Sequence, residues 1–471
     1  MKHKNKIQIA GLGLALALSQ AVSAYAAGTV VVGKAPGETA AETTAAEATT
    51  KAAPENTTTA TTKAAPAVLD TPAHVVTAGS HAASNSPTPA PQPSTAAADS
   101  TQSTASAADI RQPEVAAEGA VLLNAATGEV LYGKNQDQQF YPASITKVMT
   151  ALVVLEHCNL NETVTFSETA TTNLESGAVA LGVSAGDQLT VEQSLYGLLL
   201  KSANEIGNGL AEHVSGSVSA FADLMNAKAK ELGCKNTHFA NPHGLNNENH
   251  KTTPYDMALI LRAAVANDTF RKIDTTTSYQ FPAIKNAAAR TITMGHKMMY
   301  KTDSRYYEGI IGGKTGTTDK AWCCLAVWAK RGNMKLCAVA LGCKESEQRF
   351  TACTDLLNYG FSGFELYRTA VDSDVLTPVT VTEGLEKQAD IRVKRLNTIV
   401  IPKGSSKRIE YTHTVVDSLS APVQYGEKVG EVRASLDGEE IFYSDIVTTG
   451  EVGELNFFSS LLIIIRRFFS M

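Results

Sequence analysis

The sequence has no large excess of charge of either sign. Its 471 residues contain 41 Lys and Arg against 47 Asp and Glu, which gives a formal net charge of -6 at pH 7. Proteins that bind the phosphates of nucleic acids usually carry clustered basic side chains. The charge balance therefore gives no reason to expect a nucleic acid partner, and the length is sufficient for two or three domains.

The N-terminus lacks an apolar run long enough to cross a membrane comfortably. An apolar run over residues 7–18 follows a basic start and precedes the small residues Ala24 and Ala26. This run is shorter than the ~20 residues of a transmembrane helix, and the whole arrangement is typical of a secretory signal peptide. We predict a cleaved signal peptide over residues 1–26 and an exported, extracytoplasmic protein. An uncleaved N-terminal anchor is the alternative.

Large apolar side chains are scarce in residues 27–112. The composition from about residue 34 to residue 108 is mainly Ala, Thr, Ser and Pro, and the hexapeptide at 49–54 is echoed at 61–66. Such a segment buries too little apolar surface to offset the loss of chain entropy. We predict a disordered spacer here and assign it no site.

The sequence also lacks cysteines spaced as in a metal site or a small disulfide-bonded protein. The seven cysteines are an odd number, and their spacings match neither a zinc site nor a small disulfide scaffold. We predict buried small hydrophobic residues, with a bridge between the 323–324 pair and the 337–343 strand as the alternative. Three histidines also match no ligand spacing: His238, His243 and His250. No metal and no other cofactor is predicted.

Hydrophobic patterning predicts a layered domain of helices and strands over residues 113–364. Residues 121–124 and 129–133 form a predicted hairpin, and two further strands are predicted at 323–329 and 336–341. Helices are predicted from Ser144, from a capping box at Thr190, over 219–232 and after Thr253. A helical cluster beside a sheet with strands from both ends of the segment indicates an α/β domain.

The pattern changes to short alternating strands over residues 365–450. The Asp437-Gly438 pair is a strong hairpin signal, so we predict a small all-β domain. Residues 451–471 then read as an amphipathic helix with Arg466 and Arg467 on its polar side. This helix is too short to span a bilayer, and we predict that it lies on the outer face of the cytoplasmic membrane. Docking on the protein itself is the alternative.

Three short motifs carry the chemistry. Ser144 and Lys147 are three residues apart, which places them on one face of a helix. The second motif contains Ser202 and Asn204 at the corner after a predicted helix, and the third begins at Lys314 on a predicted strand. Together they have the parts of a serine acyl-transfer site.

A serine hydroxyl needs a base, and a free lysine is protonated at neutral pH. Burial beside Ser144 and repulsion from Lys314 would both lower the pKa of Lys147, so that it can act as the general base. Ser202 is the expected proton relay between Lys147 and the leaving amine. Asn204 is expected to hold the lysine and the substrate amide by hydrogen bonds.

The third motif is expected to bind the substrate. The Lys314 ammonium can bind a carboxylate, Thr315 adds a hydroxyl, and Gly316 lets a peptide backbone approach the strand. The expected substrate is therefore a peptide with a free C-terminus. The N–H groups of Ser144 and Thr317 are the expected oxyanion donors.

Over residues 113 to 447 the sequence resembles the serine D-alanyl-D-alanine carboxypeptidases, which are low-molecular-weight penicillin-binding proteins. The matching segments are Tyr141-Pro-Ala-Ser-Ile-Thr-Lys147, Leu195-Tyr-Gly-Leu-Leu-Leu-Lys-Ser-Ala-Asn204, Asn236-Thr-His-Phe-Ala-Asn-Pro-His-Gly244 and Lys314-Thr-Gly-Thr317. The resemblance implies a β-lactamase/transpeptidase-like α/β (α+β) catalytic domain with an antiparallel sheet. It also implies a membrane-anchoring final helix.

The same resemblance implies an activity. It is removal of the terminal D-alanine from peptidoglycan pentapeptides through an acyl-enzyme at Ser144, with inhibition by β-lactams and control of wall cross-linking. Lys147 carries over as base, Ser202 as relay and Lys314 as carboxylate binder. Two departures concern substrate preference: Trp322-Cys-Cys324 stands where small residues are expected, and Thr317 where a bulkier residue is common.

Three alternatives share part of this evidence. A β-lactamase has the three motifs but normally lacks a trailing β-domain and anchor helix. A non-catalytic wall-binding protein would explain export and anchoring, but it would not need the serine and lysine pair. Transpeptidation is the nearest alternative, because an amine can capture the same acyl-enzyme.

Overall fold

The computed structural model describes residues 110–172 and 174–470. The predicted signal peptide and almost all of the predicted spacer lie outside the described residues.

The first part of the described chain mixes strands and helices. Its strands are β1 (Gly119–Asn124), β2 (Val130–Lys134), β3 (Thr163–Thr165), β4 (Gln188–Thr190), β5 (Ser278–Phe281), β6 (Arg290–Thr293), β7 (Ile310–Thr318), β8 (Trp322–Arg331) and β9 (Met334–Cys343). Its helices are α1 (Lys147–His157), α2 (Glu168–Thr172), α3 (Val191–Leu200), α4 (Asn204–Ser215), α5 (Val218–Glu231), α6 (Pro254–Ala266), α7 (Asp268–Asp274) and α8 (Ser346–Gly363).

A five-stranded sheet in the order β2-β1-β9-β8-β7 forms the middle of this part. All its neighbouring strands are antiparallel, as the family resemblance implies, with Val121 opposite Val339 and Lys314 opposite Ala326. One face carries Val121 and packs on the helical cluster, whereas the other face carries Leu122 and packs on α8. The sheet is therefore covered on both sides, and β7 lies at its edge.

Local signals explain where several helices begin. The Thr190 side chain accepts a hydrogen bond from the Gln193 N–H, and the Gln193 side chain accepts one from the Thr190 N–H, which confirms the predicted capping box of α3. Thr253 caps α6, whose first residue is Pro254. The predicted helix start at Ser144 needs correction, because a 3-10 turn over Ala143–Thr146 precedes α1.

The second part of the described chain is built mainly of short strands. They are β10 (Phe364–Arg368), β11 (Val379–Thr382), β12 (Gln388–Ala389), β13 (Ile391–Val393), β14 (Thr398–Pro402), β15 (Ile409–Val415), β16 (Ser418–Ser420), β17 (Lys428–Leu436) and β18 (Glu439–Thr448). The turn between β17 and β18 has positive φ at Asp437 and Gly438, as the Asp-Gly signal predicts. The all-β character of this part is confirmed.

A final helix, α9 (Phe457–Phe469), begins at the side-chain cap Asn456. It buries none of its residues, and Phe457 and Phe469 are 76% and 83% exposed. The structure thus contradicts the alternative that this helix docks on its own protein. Across residues 110–172 and 174–470, no helix has the length and apolar character needed to cross a membrane.

The cysteines are all free thiols. Five are buried in the sheet and α8, namely Cys323, Cys324, Cys337, Cys343 and Cys353, and the remaining two are half-buried. The prediction of small buried residues is therefore confirmed for these five, and the alternative bridge between the 323–324 pair and the 337–343 strand is absent.

Candidate active site

Ser144 lies in the 3-10 turn that leads into α1, and a distant loop fixes this turn. A Cβ on Gly244 would lie 1.9 Å from the Ala143 carbonyl oxygen, so only glycine permits the loop to approach so closely. The Thr146 hydroxyl donates to the same carbonyl at 2.8 Å and also contacts His250 Nε2. Tertiary packing therefore sets the position of the Ser144 hydroxyl.

Lys147 is the first residue of α1 and is fully buried. Its Nζ lies 2.7 Å from Asn204 Oδ1, 2.7 Å from the His243 carbonyl oxygen and 3.0 Å from Ser144 Oγ. A neutral amine has two hydrogens and one lone pair. Because both carbonyl-type oxygens can only accept, they take the two hydrogens and leave the lone pair facing the Ser144 hydroxyl.

The electrostatic surroundings favour this neutral amine. Burial lowers the pKa of Lys147 well below its ordinary value, and the charge of Lys314 lowers it further. Glu205 on α4 acts in the opposite direction but is the smallest of the three causes. The sequence predicts both lowering causes.

The second motif joins α3 to α4. Ser202 has φ +61°, a left-handed conformation that is costly for a residue with a side chain and is found mainly where packing imposes it. Asn204 begins α4, and its Nδ2 donates to the Val179 carbonyl at 2.9 Å, which orients Oδ1 towards Lys147. The Ser202 side chain lines the cleft rather than bonding Lys147 in this conformation.

The third motif occupies the sheet edge. Lys314 is almost fully buried on β7, and its Nζ donates to the Thr315 carbonyl at 2.8 Å. Burial lowers the pKa of Lys314 to about 7, Asp274 opposes this shift, and Arg349 adds to it. The cleft thus holds a cation that an incoming carboxylate would stabilise.

Gly316 brings the strand directly against the turn that holds the serine. A Cβ at this position would lie 2.8 Å from the Ser144 backbone nitrogen and 2.9 Å from Ala143 Cβ. Arg349 on α8 fixes the same strand, since its Nη1 donates to the Gly316 carbonyl at 3.2 Å and to Thr317 Oγ1 at 3.0 Å. Ser144, Gly316 and Thr317 therefore converge on one end of the cleft.

A cavity of about 210 Å³ lies between the second and third motifs. Ser202, Lys314, Thr315 and His296 are among the residues that line it. His296 is buried, and the Gly312 backbone is a hydrogen-bond neighbour of its ring. Burial, followed by the charge of Lys314, lowers the pKa of His296 to about 3, so its ring is neutral and offers one donor and one acceptor.

Several of these residues were not predicted from the sequence. The His243 carbonyl, Asp274, His296 and Arg349 reach the cleft from separate loops and helices, and no local spacing links them to the three motifs. The loop that contains His243 is recognisable in the sequence, but the use of its backbone carbonyl depends on the fold.

The other two histidines considered as metal ligands form hydrogen bonds within the loop before α6, and His250 also contacts Thr146. His238 Nδ1 lies 2.8 Å from the Asn249 carbonyl, and His250 Nδ1 accepts from the Ala240 N–H at 3.0 Å. These contacts give both rings a role in shaping the loop before α6.

Comparison with known proteins matches both parts of the chain. The D-alanyl-D-alanine carboxypeptidase family model matches residues 104–345, about half of the chain, and the penicillin-binding protein 5 C-terminal domain model matches residues 364–454. The D-alanyl-D-alanine carboxypeptidase DacF of Bacillus subtilis (strain 168) is 31% identical over 351 residues, which cover 73% of this chain and 88% of that protein.

Solved structures agree with this match. Penicillin-binding protein 5 from Haemophilus influenzae is 28% identical with a TM-score of 0.64, covering 73% of this chain and 99% of that chain. The Streptomyces K15 DD-transpeptidase is 32% identical with a TM-score of 0.50, covering 53% of this chain and 99% of that chain. With this coverage in both parts, the chain belongs to the D-alanyl-D-alanine carboxypeptidase family of serine peptidases.

Proposed function

We propose that this protein removes the terminal D-alanine from peptidoglycan pentapeptides through an acyl-enzyme on Ser144. The observation that carries the proposal is the buried Lys147 amine, whose Nζ lies 3.0 Å from Ser144 Oγ while Asn204 and the His243 carbonyl take its hydrogens. This is the geometry of a nucleophile with its own base. We propose a catalytic domain over residues 113–364 and a β-domain over 365–450.

In acylation, Lys147 takes the Ser144 proton while Oγ attacks the carbonyl carbon of the penultimate D-alanine. The N–H groups of Ser144 and Thr317 then stabilise the oxyanion. Support comes from the close packing of Gly316 against the Ser144 nitrogen, which brings the two backbone segments to the same point. Ser202, on the wall of the cleft, passes the proton on to the leaving amine, and water later hydrolyses the ester.

Substrate recognition depends on the free carboxylate of the peptide. Lys314 and the Thr315 hydroxyl bind it, and the carboxylate compensates for the cost of burying the Lys314 ammonium. The β7 edge offers backbone groups to an extended peptide, which requires the close approach that Gly316 permits. A β-lactam presents a similar carboxylate and reactive carbonyl, so it would acylate Ser144.

The test is incubation of the full chain with a D-Ala-D-Ala pentapeptide, with and without an amine acceptor. We expect the wild type to release D-alanine without a cross-linked product and the Ser144→Ala variant to release none. If the folded wild type binds peptidoglycan but releases no D-alanine, the proposed enzymatic activity is refuted. Rapid turnover of penicillin without peptide cleavage would instead favour a β-lactamase.

Transpeptidation is a second candidate, because a solved DD-transpeptidase shares the fold at 32% identity. Capture of the acyl-enzyme by an amine needs the same residues as hydrolysis. Formation of a cross-linked product in proportion to acceptor concentration would favour this activity, whereas D-alanine release unaffected by the acceptor would favour the carboxypeptidase.

The protein acts outside the cytoplasm, and we propose that α9 anchors it to the outer face of the cytoplasmic membrane. Its exposed apolar side chains include Phe457, Phe458, Phe468 and Phe469, and Arg466 and Arg467 lie in its last turn. Such a helix fits the interface of a bilayer with anionic head groups. We expect the full chain to sediment with vesicles that contain phosphatidylglycerol, and Leu462→Asp to abolish this. Sedimentation unchanged in that variant would refute the anchor.

A further inference from the structure

Three potential metal ligands meet at the end of the helical cluster opposite the cleft. Cys158 directly follows α1, Glu162 lies just before β3, and His213 is in the last turn of α4. Their thiol, carboxylate and imidazole ligand atoms all lie within 4.8 Å of one another. All three residues are half-buried, so the group is both enclosed by the protein and open to an ion from solvent.

The carboxylate is already oriented for this group. Glu162 Oε1 accepts from the backbone nitrogen of Asn159 at 2.6 Å and from its side-chain Nδ2 at 2.8 Å. These bonds turn the other oxygen, Oε2, towards His213 Nε2 at 3.2 Å. The Cys158 thiol faces the same carboxylate and hydrogen-bonds Glu162. All three ligand-type groups therefore converge on one point at the surface of the helical cluster.

The mixture of donors selects the kind of ion. Thiolate, imidazole and carboxylate are all zinc ligands, whereas calcium and magnesium take oxygen ligands. Tetrahedral zinc with bonds of about 2.0–2.3 Å places its ligand atoms about 3.3–3.8 Å apart. The glutamate and histidine atoms, 3.2 Å apart, lie just below that range, and small movements of these half-buried side chains bring all three ligand atoms to it.

We propose that Cys158, Glu162 and His213 bind one Zn²⁺ ion, with water as the fourth ligand. Binding forms a bond from zinc to sulfur, and the thiol releases its proton to solvent. Cobalt in the same site would report the thiolate bond directly.

The position of this site gives it a structural role. Lys147 and Asn204, which hydrogen-bond each other at 2.7 Å, are the first residues of α1 and α4, while Cys158 and His213 lie at the opposite ends of the same two helices. Zinc would therefore link α1 and α4 at one end as the catalytic hydrogen bond links them at the other. The ion lies about 16 Å along α1 from the base, too far to take part in the reaction.

The test is titration of the EDTA-treated full chain with Zn²⁺ by isothermal calorimetry, with Co²⁺ as a spectroscopic probe. We expect one equivalent of zinc to bind, a higher melting temperature in its presence, and a thiolate-to-cobalt charge-transfer band. Cys158→Ser should remove the band and weaken zinc binding by more than about tenfold. Cys234→Ser, the other half-buried cysteine, is the matched control and should leave binding unchanged.

A second variant keeps the test decisive if Cys158→Ser does not fold. Glu162→Gln retains the size of the side chain and should also weaken binding, while circular dichroism confirms the fold. Lack of saturable binding by the wild type, or equal affinity in folded variants and wild type, would overturn the proposal. These readouts do not depend on peptidase activity, so they are separate from the test of the proposed function.

Discussion

Replacement of Asn204 with aspartate tests whether Lys147 acts as a neutral base. The two residues lie 2.7 Å apart from Nζ to Oδ1, and Ser144 Oγ lies 3.0 Å from the same nitrogen. Aspartate has nearly the same shape as asparagine but puts a negative charge on the acceptor. That charge favours the ammonium form of Lys147, which has no lone pair to accept the serine proton.

The expected magnitude follows from this contact. A neighbouring opposite charge raises the pKa of an amine by ~1–3 units, which corresponds to ~1.4–4 kcal/mol. In the wild type the pKa of Lys147 lies well below its ordinary value. The aspartate therefore lowers the neutral fraction and slows acylation by a fluorescent penicillin at neutral pH, by up to ~1000-fold. Because the pKa rises, the ascending limb of the pH–rate profile shifts to higher pH.

Stopped-flow acylation across the pH range measures this shift. Asn204→Ala is the matched control, because it removes the same acceptor and the bond to Val179 without adding charge. We expect the alanine variant to be slower without an alkaline shift. If aspartate slowed acylation by the same factor at every pH, in a protein with unchanged melting temperature, the assignment of Lys147 as a neutral base would be refuted.

Three further predictions concern the third motif and its neighbours. Gly316→Ala should slow acylation by ~100-fold, since the new methyl would displace the Ser144 turn; an unchanged rate would contradict the close packing. Because the pKa of Lys314 is about 7, its ammonium is present below that pH and lost above it. KM for a peptide with a free carboxylate should therefore rise from about pH 7 upwards in steady-state assays, and a flat KM would contradict the carboxylate role. His296→Ala should raise KM by ~10-fold with little change in kcat, because the buried ring lines the same cavity as Lys314 and Thr315. His296→Asn should restore part of the loss, whereas an effect on kcat alone would contradict that account.

Local signals predicted much of the fold. Thr190 with Gln193 marks the start of α3, Pro254 marks the start of α6, and the Asp437-Gly438 turn marks the β17–β18 hairpin. Each of these signals involves only residues that are close together in the sequence. The antiparallel arrangement of the sheet was implied by the family resemblance, and the pairing of β1 with β9 could not be read from neighbouring residues.

The sequence predicted which residues form the three motifs of the site, but it predicted their geometry only in part. Ser144 is not in the first turn of an α-helix but in a separate 3-10 turn, against which Gly244 packs closely. The second acceptor for Lys147 is a backbone carbonyl at His243, which is 96 residues away in the sequence. Neither has a local sequence signal, since both depend on how the loop before α6 packs against α1.

The central claim is that Ser144 is the acylated nucleophile. The most direct measurement is intact-mass spectrometry of the full chain after brief reaction with a penicillin, followed by tandem mass spectrometry of the digested adduct. We predict one covalent adduct per chain, located on Ser144 and absent from a folded Ser144→Ala variant. An adduct on another residue, or equal labelling of the alanine variant, would contradict the account.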